Sequence, residues 1–470
     1  MDGAHARSTD LGVCPCGHHP DTVTDAPRAA ALTPSPIPTL WGVLALAAPI
    51  MLANASTPLI GFVDAAVIGR LGDAALIGGV AVGAAIFNAI YWCVGFLRMS
   101  TTGFTAQAYG ARDSTEIAAT LLRALLIAGV IGIAVVLFQA PIRRGFLWFL
   151  DGSPAVQAAT TEYYNWRIWA APAGFANAAL LGWFIGLGRT MVAFWVQVLA
   201  NVLNIVFALV FVPWLGWGVS GVGLAAFLSE VAAVAGGLYY ARRELVAHGA
   251  GASRATLLDR AKLRALFAAN RDIMIRTVCV LAVGQIFIRL GATQGDAVLA
   301  ANALLASILM IAYFLLDGYS HATETLVGQA VGARDRLRLD LSVRLAAIAA
   351  AITGAFIGVV LWFAAGPLIT FMTTSTEVQA QAVAYFAWVA WLPLIAVGCF
   401  LLDGVFIGAT RTVDMRNMML VSFVLYLGVL AIALPWLGNH GLWLAQAVFF
   451  IARAVTLAWK YPALAATTDR

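Results

Sequence analysis

Long apolar runs follow one another along the chain from about Leu40 onwards. Residues 191–229, 345–376 and 417–452 contain no Asp, Glu, Lys or Arg. A helix needs about 20 apolar residues to cross a bilayer core of about 30 Å, so each run is long enough for one or two crossings. Because the runs are continuous and do not alternate in short segments, they indicate helices and not barrel strands. The sequence therefore predicts an all-α integral membrane protein with twelve spans, which begin near Leu40, Ala74, Ile117, Glu162, Met191, Val219, Phe267, Ala297, Ser342, Val378, Asn417 and Gly441.

The chain also repeats itself at a fixed distance. Gln107-Ala-Tyr-Gly-Ala-Arg-Asp113 recurs 222 positions later as Gln329-Ala-Val-Gly-Ala-Arg-Asp335. Two further blocks, starting at residues 184 and 213, recur at the same offset, and a fourth, starting at residue 72, recurs one position further on. Each copy holds six spans, so the copies share one orientation as parallel repeats, an arrangement that binds substrate between the halves and rocks them. The predicted units are a tail (1–39), an N-lobe (40–243), a linker (244–266), a C-lobe (267–464) and a second tail (465–470).

Composition and charge fit this reading. The chain is 62% hydrophobic and 11% charged, whereas soluble domains carry about 25% charged residues. The net charge of +5 matters less than its placement, because cytoplasmic loops are enriched in Lys and Arg. If both termini are cytoplasmic, the loops predicted outside the inner (plasma) membrane hold few basic residues, namely Arg70, Arg143, Arg144 and Arg289.

The first forty residues contain Cys14, Cys16, His18 and His19 but no apolar signal segment. This tract predicts a disordered cytoplasmic tail, and soft-metal binding remains the alternative. Catalytic constellations are not apparent: beyond the tail the histidines are His248, His321 and His440, with no metal-ligand spacing. Of these, His321 alone is placed to line a cavity, near Asp317 and Glu324. The sequence thus favours a transporter over a membrane-embedded enzyme.

Several motifs together resemble the multidrug and toxic compound extrusion (MATE) family. They are Gly61-Phe-Val-Asp64-Ala-Ala-Val-Ile-Gly69, the twin Gln-Ala-x-Gly-Ala-Arg-Asp loops and Asn201-Val-Leu-Asn204, while Leu97-Arg98-Met99 and Leu316-Asp317-Gly318-Tyr319 are similar to its DinF-like branch. The resemblance implies two six-helix bundles around a V-shaped cavity, with H⁺ or Na⁺ influx coupled to drug export and no other cofactor. It also implies a monomer that takes a small-molecule substrate within the lipid bilayer and binds no nucleic acid.

The resemblance also carries residue roles. Asp64 matches the proton-coupling carboxylate of the first helix, and Pro49 matches a proline at a bend that responds to protonation. Asn204 and Asn177 match asparagines of the N-lobe pocket. Many relatives have an acid four residues after the second asparagine, where this chain has Ala208, which puts a two-carboxylate pathway in doubt.

The C-lobe departs from sodium-coupled relatives. These place a Glu on the seventh helix and an Asp on the tenth. Asp403 can match the Asp, but the seventh helix here has Arg276 and no Glu. Proton coupling is therefore better supported than sodium coupling.

Ionisable residues within spans are costly, so each is either functional or paired. Asp64 could exchange its proton for a cation, or it could be a structural partner of Arg70. Asp317 and Glu324 are seven residues apart and share a helix face, which could line a C-lobe cavity or hold an arginine. For Asp403, an ion gate and a structural lock remain equally open. The arginines available for such locks are Arg98, Arg167 and Arg276.

A lipid or metabolite flippase of the same superfamily is the closest rival function. A cationic cavity would favour a flippase. The sparse acidic residues within the spans favour a cationic cargo instead.

Overall fold

The computed structural model describes residues 37–70, 72–150, 153–249 and 251–468, without the side chains of residues 57–59, 62, 149 and 150. These residues form α-helices joined by short turns, and the described ranges contain no strand. The helices are α1 (Leu40–Gly69), α2 (Ala74–Val94), α3 (Phe96–Gly110), α4 (Ser114–Leu137), α5 (Gln139–Leu150), α6 (Pro154–Arg167), α7 (Ala171–Gly186), α8 (Thr190–Phe211), α9 (Gly218–Ala247), α10 (Arg254–Leu257), α11 (Arg260–Ala292), α12 (Asp296–Gly332), α13 (Arg336–Met372), α14 (Thr376–Gly408), α15 (Thr412–Leu437) and α16 (Asn439–Ala465).

The helices confirm the predicted membrane architecture. Eleven helical segments in the described ranges are long and apolar enough to cross a membrane, and α1, with 30 residues, supplies the twelfth. Three of the eleven segments are made of two consecutive helices each, α2 with α3, α6 with α7, and α10 with α11. Residues 1–36, which include the Cys14 to His19 tract, and residues 469–470 lie outside the described part of the chain.

One helix was not predicted. The segment Gln139–Leu150 forms α5 between the third and fourth spans, where the sequence indicated only a loop with Arg143 and Arg144. Its 12 residues are too few to cross a bilayer. Its combination of large apolar residues with Arg143 and Arg144 is typical of a helix lying at a membrane surface. The apolar runs alone could not reveal it, because the two arginines interrupt them.

The twin loops have the same local geometry in both halves. Arg112 and Arg334 adopt the left-handed conformation, with φ of 57° and 54°. The next residue begins a helix: Asp113 accepts a hydrogen bond from the Glu116 backbone N–H, and Asp335 accepts one from the Arg338 backbone N–H. An aspartate at this position satisfies an otherwise unpaired helix-end N–H. The repeated motif thus ends one helix and begins the next.

The lobes meet where α3 crosses α12, at the end of the bundle that carries these loops, which we call the arginine-rich end. A Cβ added at Gly110 would lie 2.1 Å from the Gln329 carbonyl oxygen, and one at Gly332 would lie 2.1 Å from the Gln107 carbonyl oxygen. Backbone therefore touches backbone across the interface, which only glycine permits. In the two contacts, equivalent residues of the two halves exchange roles, so the interface between the lobes has a pseudo-two-fold axis.

Side-chain amides reinforce this closure in the same symmetric way. Gln107 Nε2 donates to the Gly408 carbonyl oxygen at 3.0 Å, and Gln329 Nε2 donates to the Gly186 carbonyl oxygen at 3.3 Å. Both pairs are related by the offset of the repeat. Away from the interface, large apolar side chains such as Phe363 point outward, as a lipid-facing surface requires.

Candidate functional site

The N-lobe buries the three side chains that the resemblance assigned to ion coupling. Asp64 lies on α1, Asn177 on α7 and Asn204 on α8, and all three are buried. In each of them the Oδ1 oxygen has no hydrogen-bond partner among the described residues. Buried polar atoms without partners are uncommon in native proteins and often mark functional groups.

Arg167 and Glu230 connect two of these residues. The guanidinium of Arg167 interacts electrostatically with the carboxylates of both Asp64 and Glu230. Asn177 Nδ2 donates a hydrogen bond to Glu230 Oε2 at 3.4 Å. Asp64, Arg167, Glu230 and Asn177 therefore form one group, which we call the N-lobe cluster. Within the described residues, Asn204 makes no hydrogen bond or ion pair with this cluster.

The sequence did not single out Glu230, and it associated Arg167 with the acids of the C-lobe. Arg167 instead lies over N-lobe aromatic rings, 5.3 Å from the Phe87 centroid and 5.6 Å from the Tyr163 centroid. Glu230 lies in the apolar part of α9, so the rule that drew attention to Asp64 applies equally to it. Glu230 also supplies a second N-lobe carboxylate from α9, although the α8 position where relatives carry one is Ala208.

Two other expectations concern α1. Both Asp64 and Arg70 are described, and no ion pair joins them. The alternative role of Asp64 as a structural partner of Arg70 is therefore not observed. Pro49 is buried inside α1. Its missing N–H removes one hydrogen bond of the helix ladder, which is the usual cause of a local bend.

In the C-lobe, Asp403 is held by two arginines. Its Oδ2 oxygen accepts hydrogen bonds from Arg276 on α11 and from Arg453 on α16, and the carboxylate is only 3% exposed. This geometry links α11, α14 and α16, as expected of an interhelical lock. Arg453 was not considered as a partner, because sequence spacing does not show which face of α16 turns towards α14.

A second charged group lies between the lobes, on α12. His321 Nε2 is 3.0 Å from Asp317 Oδ2, and His321 Nδ1 is 3.1 Å from Glu324 Oε1. Arg98 Nη1, from α3 of the other lobe, lies 2.9 Å and 2.8 Å from the two ring nitrogens. Asn54 Nδ2 on α1 donates to Asp317 Oδ2 at 3.4 Å. We call this group the α12 cluster.

The α12 cluster borders a cavity of about 120 Å³ between the two lobes. Asp317 is the more open of its two acids, with 31% of its side chain exposed, whereas Glu324 is 1% exposed. The Glu324 Oε2 oxygen has no hydrogen-bond partner in the described part of the chain. The cavity walls combine apolar and polar groups, among them Ile50, Asn54, Arg98, Phe194, Gln197, Asp317 and His321.

No group of three or more His, Cys, Asp or Glu side chains in the described ranges is arranged to hold a metal ion. The buried polar groups instead lie in a duplicated helical bundle with a central cavity, which is the architecture of a secondary transporter.

The family model for MatE matches residues 49–210 and 273–432, one stretch in each lobe, so the chain belongs to the MATE family of transporters. DNA damage-inducible protein F of Escherichia coli (strain K12) is 40% identical over 418 residues, covering 88% of this chain and 91% of that protein. The probable multidrug resistance protein NorM of Rhodopseudomonas palustris is 26% identical over 454 residues, covering 90% and 91% of the two chains.

Solved structures agree on the fold. The outward-facing conformation of a multidrug resistance MATE family transporter of the MOP superfamily superimposes with a TM-score of 0.83 at 17% identity, covering 94% of this chain and 99% of that one. The family match and the E. coli relative show that the chain is a multi-pass membrane transporter and not an enzyme. The resemblance to the DinF-like branch is confirmed by the E. coli relative.

Proposed function

We propose that this transporter exports small organic compounds, cationic or lipophilic, in exchange for protons that enter through the N-lobe. The observation that carries the proposal is the N-lobe cluster, in which the buried Asp64 carboxylate has an oxygen without a partner beside Arg167 and Glu230. The names of the NorM relatives, which describe probable multidrug resistance proteins, support drug extrusion.

The formal charges of the cluster suit a one-for-one exchange. Arg167 contributes one positive charge, and ionised Asp64 and Glu230 contribute two negative charges. One uncompensated negative charge in a membrane interior is unfavourable. A single proton or a single organic cation would neutralise it, so binding of one would favour release of the other.

Sodium coupling through the C-lobe has less support. At Asp403, Oδ1 has no hydrogen-bond partner among the described residues, but Oδ2 accepts hydrogen bonds from both Arg276 and Arg453. Two adjacent guanidinium groups would also repel a metal cation.

The membrane potential is an adequate driving force when one proton is exchanged for a neutral substrate, whereas a one-for-one exchange of a proton for a monovalent cation moves no net charge and depends on the pH difference alone. A charge that crosses about 100 mV releases about 2.3 kcal/mol, and a tenfold concentration ratio costs about 1.4 kcal/mol. One proton can therefore sustain a gradient of roughly fifty-fold for a neutral substrate.

Transport in proteoliposomes under separate H⁺ and Na⁺ gradients tests the proposal, with ethidium as the probe. Asp64→Asn should abolish the acceleration of ethidium transport by the proton gradient. Asp73→Asn is the matched control, because Asp73 caps α2 from an exposed position and asparagine caps helices equally well. Unchanged proton-driven transport in Asp64→Asn would remove the basis of the proposal.

Glu230→Gln separates two roles for the second carboxylate. If Glu230 shares the exchangeable proton, this variant should need a more acidic or steeper gradient for the same rate. If Glu230 only anchors Arg167, the dependence on the gradient should be that of the unmodified protein.

A further inference from the structure

The α12 cluster is a charged contact that can persist only while the lobes are closed. Arg98 belongs to the N-lobe and His321 to the C-lobe, and each is fixed by the packing of its own lobe. A Cβ at Gly182 would lie 2.4 Å from the Arg98 carbonyl oxygen, and one at Gly404 would lie 2.4 Å from the Ser320 carbonyl oxygen. The backbones next to the contact are thus held tightly by α7 and α14. When the lobes separate at the arginine-rich end, Arg98 must leave α12.

Its departure would leave the two carboxylates of the α12 cluster with only His321 beside them, which can carry at most one positive charge. The carboxylates of Asp317 and Glu324 flank His321, and Arg98 acts electrostatically on Asp317. Arg276 also acts on Asp317, but it is bound to Asp403 together with Arg453, so it stays in the C-lobe and does not move into the place of Arg98. Removing one partner from a buried charge group is strongly unfavourable unless another charge of the same sign replaces it.

We propose that Arg98 is an internal counter-cation and that an organic cation takes its place at Asp317 when the arginine-rich end opens. In the closed protein, Arg98 lies in the α12 cluster and balances negative charge there, so the site does not attract another cation. In the open protein, the acids of α12 attract a cation. On closure, Arg98 returns and displaces the cation towards the opposite end.

The surroundings of the site suit an organic cation. Asp317 is partly exposed to the central cavity, which also contains Phe194 and the apolar side chain of Ile50. An aromatic face beside a carboxylate provides both cation–π and charge attraction. The cavity of the closed protein, about 120 Å³, is smaller than the sites of about 300–1,000 Å³ that hold drug-sized ligands, which agrees with expulsion on closure.

This inference rests on the proposed function, because it assumes a cationic cargo, but it can be tested without any gradient. The measurement is the dissociation constant of tetraphenylphosphonium, a permanent organic cation, for the detergent-purified full chain by titration calorimetry. Arg98→Gln removes the competing charge and should tighten binding about tenfold, within the range typical of coupling between sites. Arg98→Lys keeps the charge and should bind like the unmodified protein.

Two further variants keep the test specific. Arg98→Gln combined with Asp317→Asn should lose the gain, because the acceptor is removed along with the competitor. Arg143→Gln is the matched control, because Arg143 lies on α5, away from the cavity, and donates to Asn165. It should leave the dissociation constant unchanged.

The outcomes are distinct. Binding by Arg98→Gln that is no tighter than in the unmodified protein overturns the inference. A gain that persists in the double variant also overturns it, because the tighter binding would then not come from Asp317. Failure of the proposed function would appear elsewhere, as proton-driven transport that survives Asp64→Asn.

Discussion

Alanine at Gly110 or Gly332 should force the lobes apart at the arginine-rich end. An ideal Cβ at either position lies 2.1 Å from a carbonyl oxygen of the facing helix, whereas ordinary van der Waals contact begins at 3.4 Å. The obstructing atoms belong to the helical backbone at Gln329 and Gln107, so they cannot rotate away. Each added methyl group must therefore be accommodated by movement of α3 relative to α12.

The size of the effect follows from the cost of overpacking. An added methyl group in a tight interior costs about 1–3 kcal/mol. Here the cost falls on the closed state alone, so the ratio of open to closed protein should rise by about 5- to 150-fold for one substitution. The double variant should gain less than the sum of the two, because separation caused by the first alanine relieves the second contact.

The assay is the distance between spin labels at Thr115 and Leu337, which are exposed and equivalent in the two halves, in a variant without the native cysteines. Gly110→Ala and Gly332→Ala should each increase the population at long distance. Gly129→Ala is the control for helix composition, because nothing lies within 4 Å of its Cβ. Gly132→Ala controls for strain within one lobe, because its Cβ would lie 2.5 Å from the Pro172 backbone of the same lobe.

The reasoning is refuted if the distance distribution of Gly110→Ala matches that of Gly129→Ala. It is also refuted if Gly132→Ala opens the lobes as much as Gly110→Ala does. In either case the backbone contact would not control closure.

Two buried polar groups give further predictions about stability. Asp403→Asn leaves Arg276 and Arg453 buried without a carboxylate, so it should lower the free energy of unfolding by about 3–5 kcal/mol; a thermal-shift midpoint in detergent equal to that of the unmodified protein would contradict this. Asn302→Ala should lower the free energy of unfolding by about 1–3 kcal/mol for each of the two buried side chains, Asn439 and Trp443, that bond to its amide. The same measurement checks it, and a loss no larger than that of the exposed Asn417→Ala would contradict it.

The membrane architecture could be predicted from the sequence because it depends on local properties. Runs of apolar residues determine where helices cross a bilayer, and the repeated blocks reveal two equivalent halves. The short helix α5 escaped prediction, because Arg143 and Arg144 break its apolar pattern and it does not cross the membrane.

The partners of the buried charges were harder to predict. Asp403 was correctly considered with Arg276, but Arg453 was missed, and Arg167 lies with N-lobe groups instead of the C-lobe acids. Which side chains meet depends on the rotation and crossing of packed helices, which spacing along one helix does not determine. Glu230 was missed for a simpler reason. It directly follows the uncharged run of residues 191–229, so it marked only the end of that run.

The exchanged contacts of Gly110 with Gln329 and of Gly332 with Gln107 have the form of a symmetric dimer interface, in which each side presents the same patch. A surface of this kind is complementary to a copy of itself. A protein half this length, with one six-helix unit, could therefore have closed against its own twin before the two units were joined in a single chain. Fusion would then have freed each half to diverge, leaving Asp64 in one and His321 in the other.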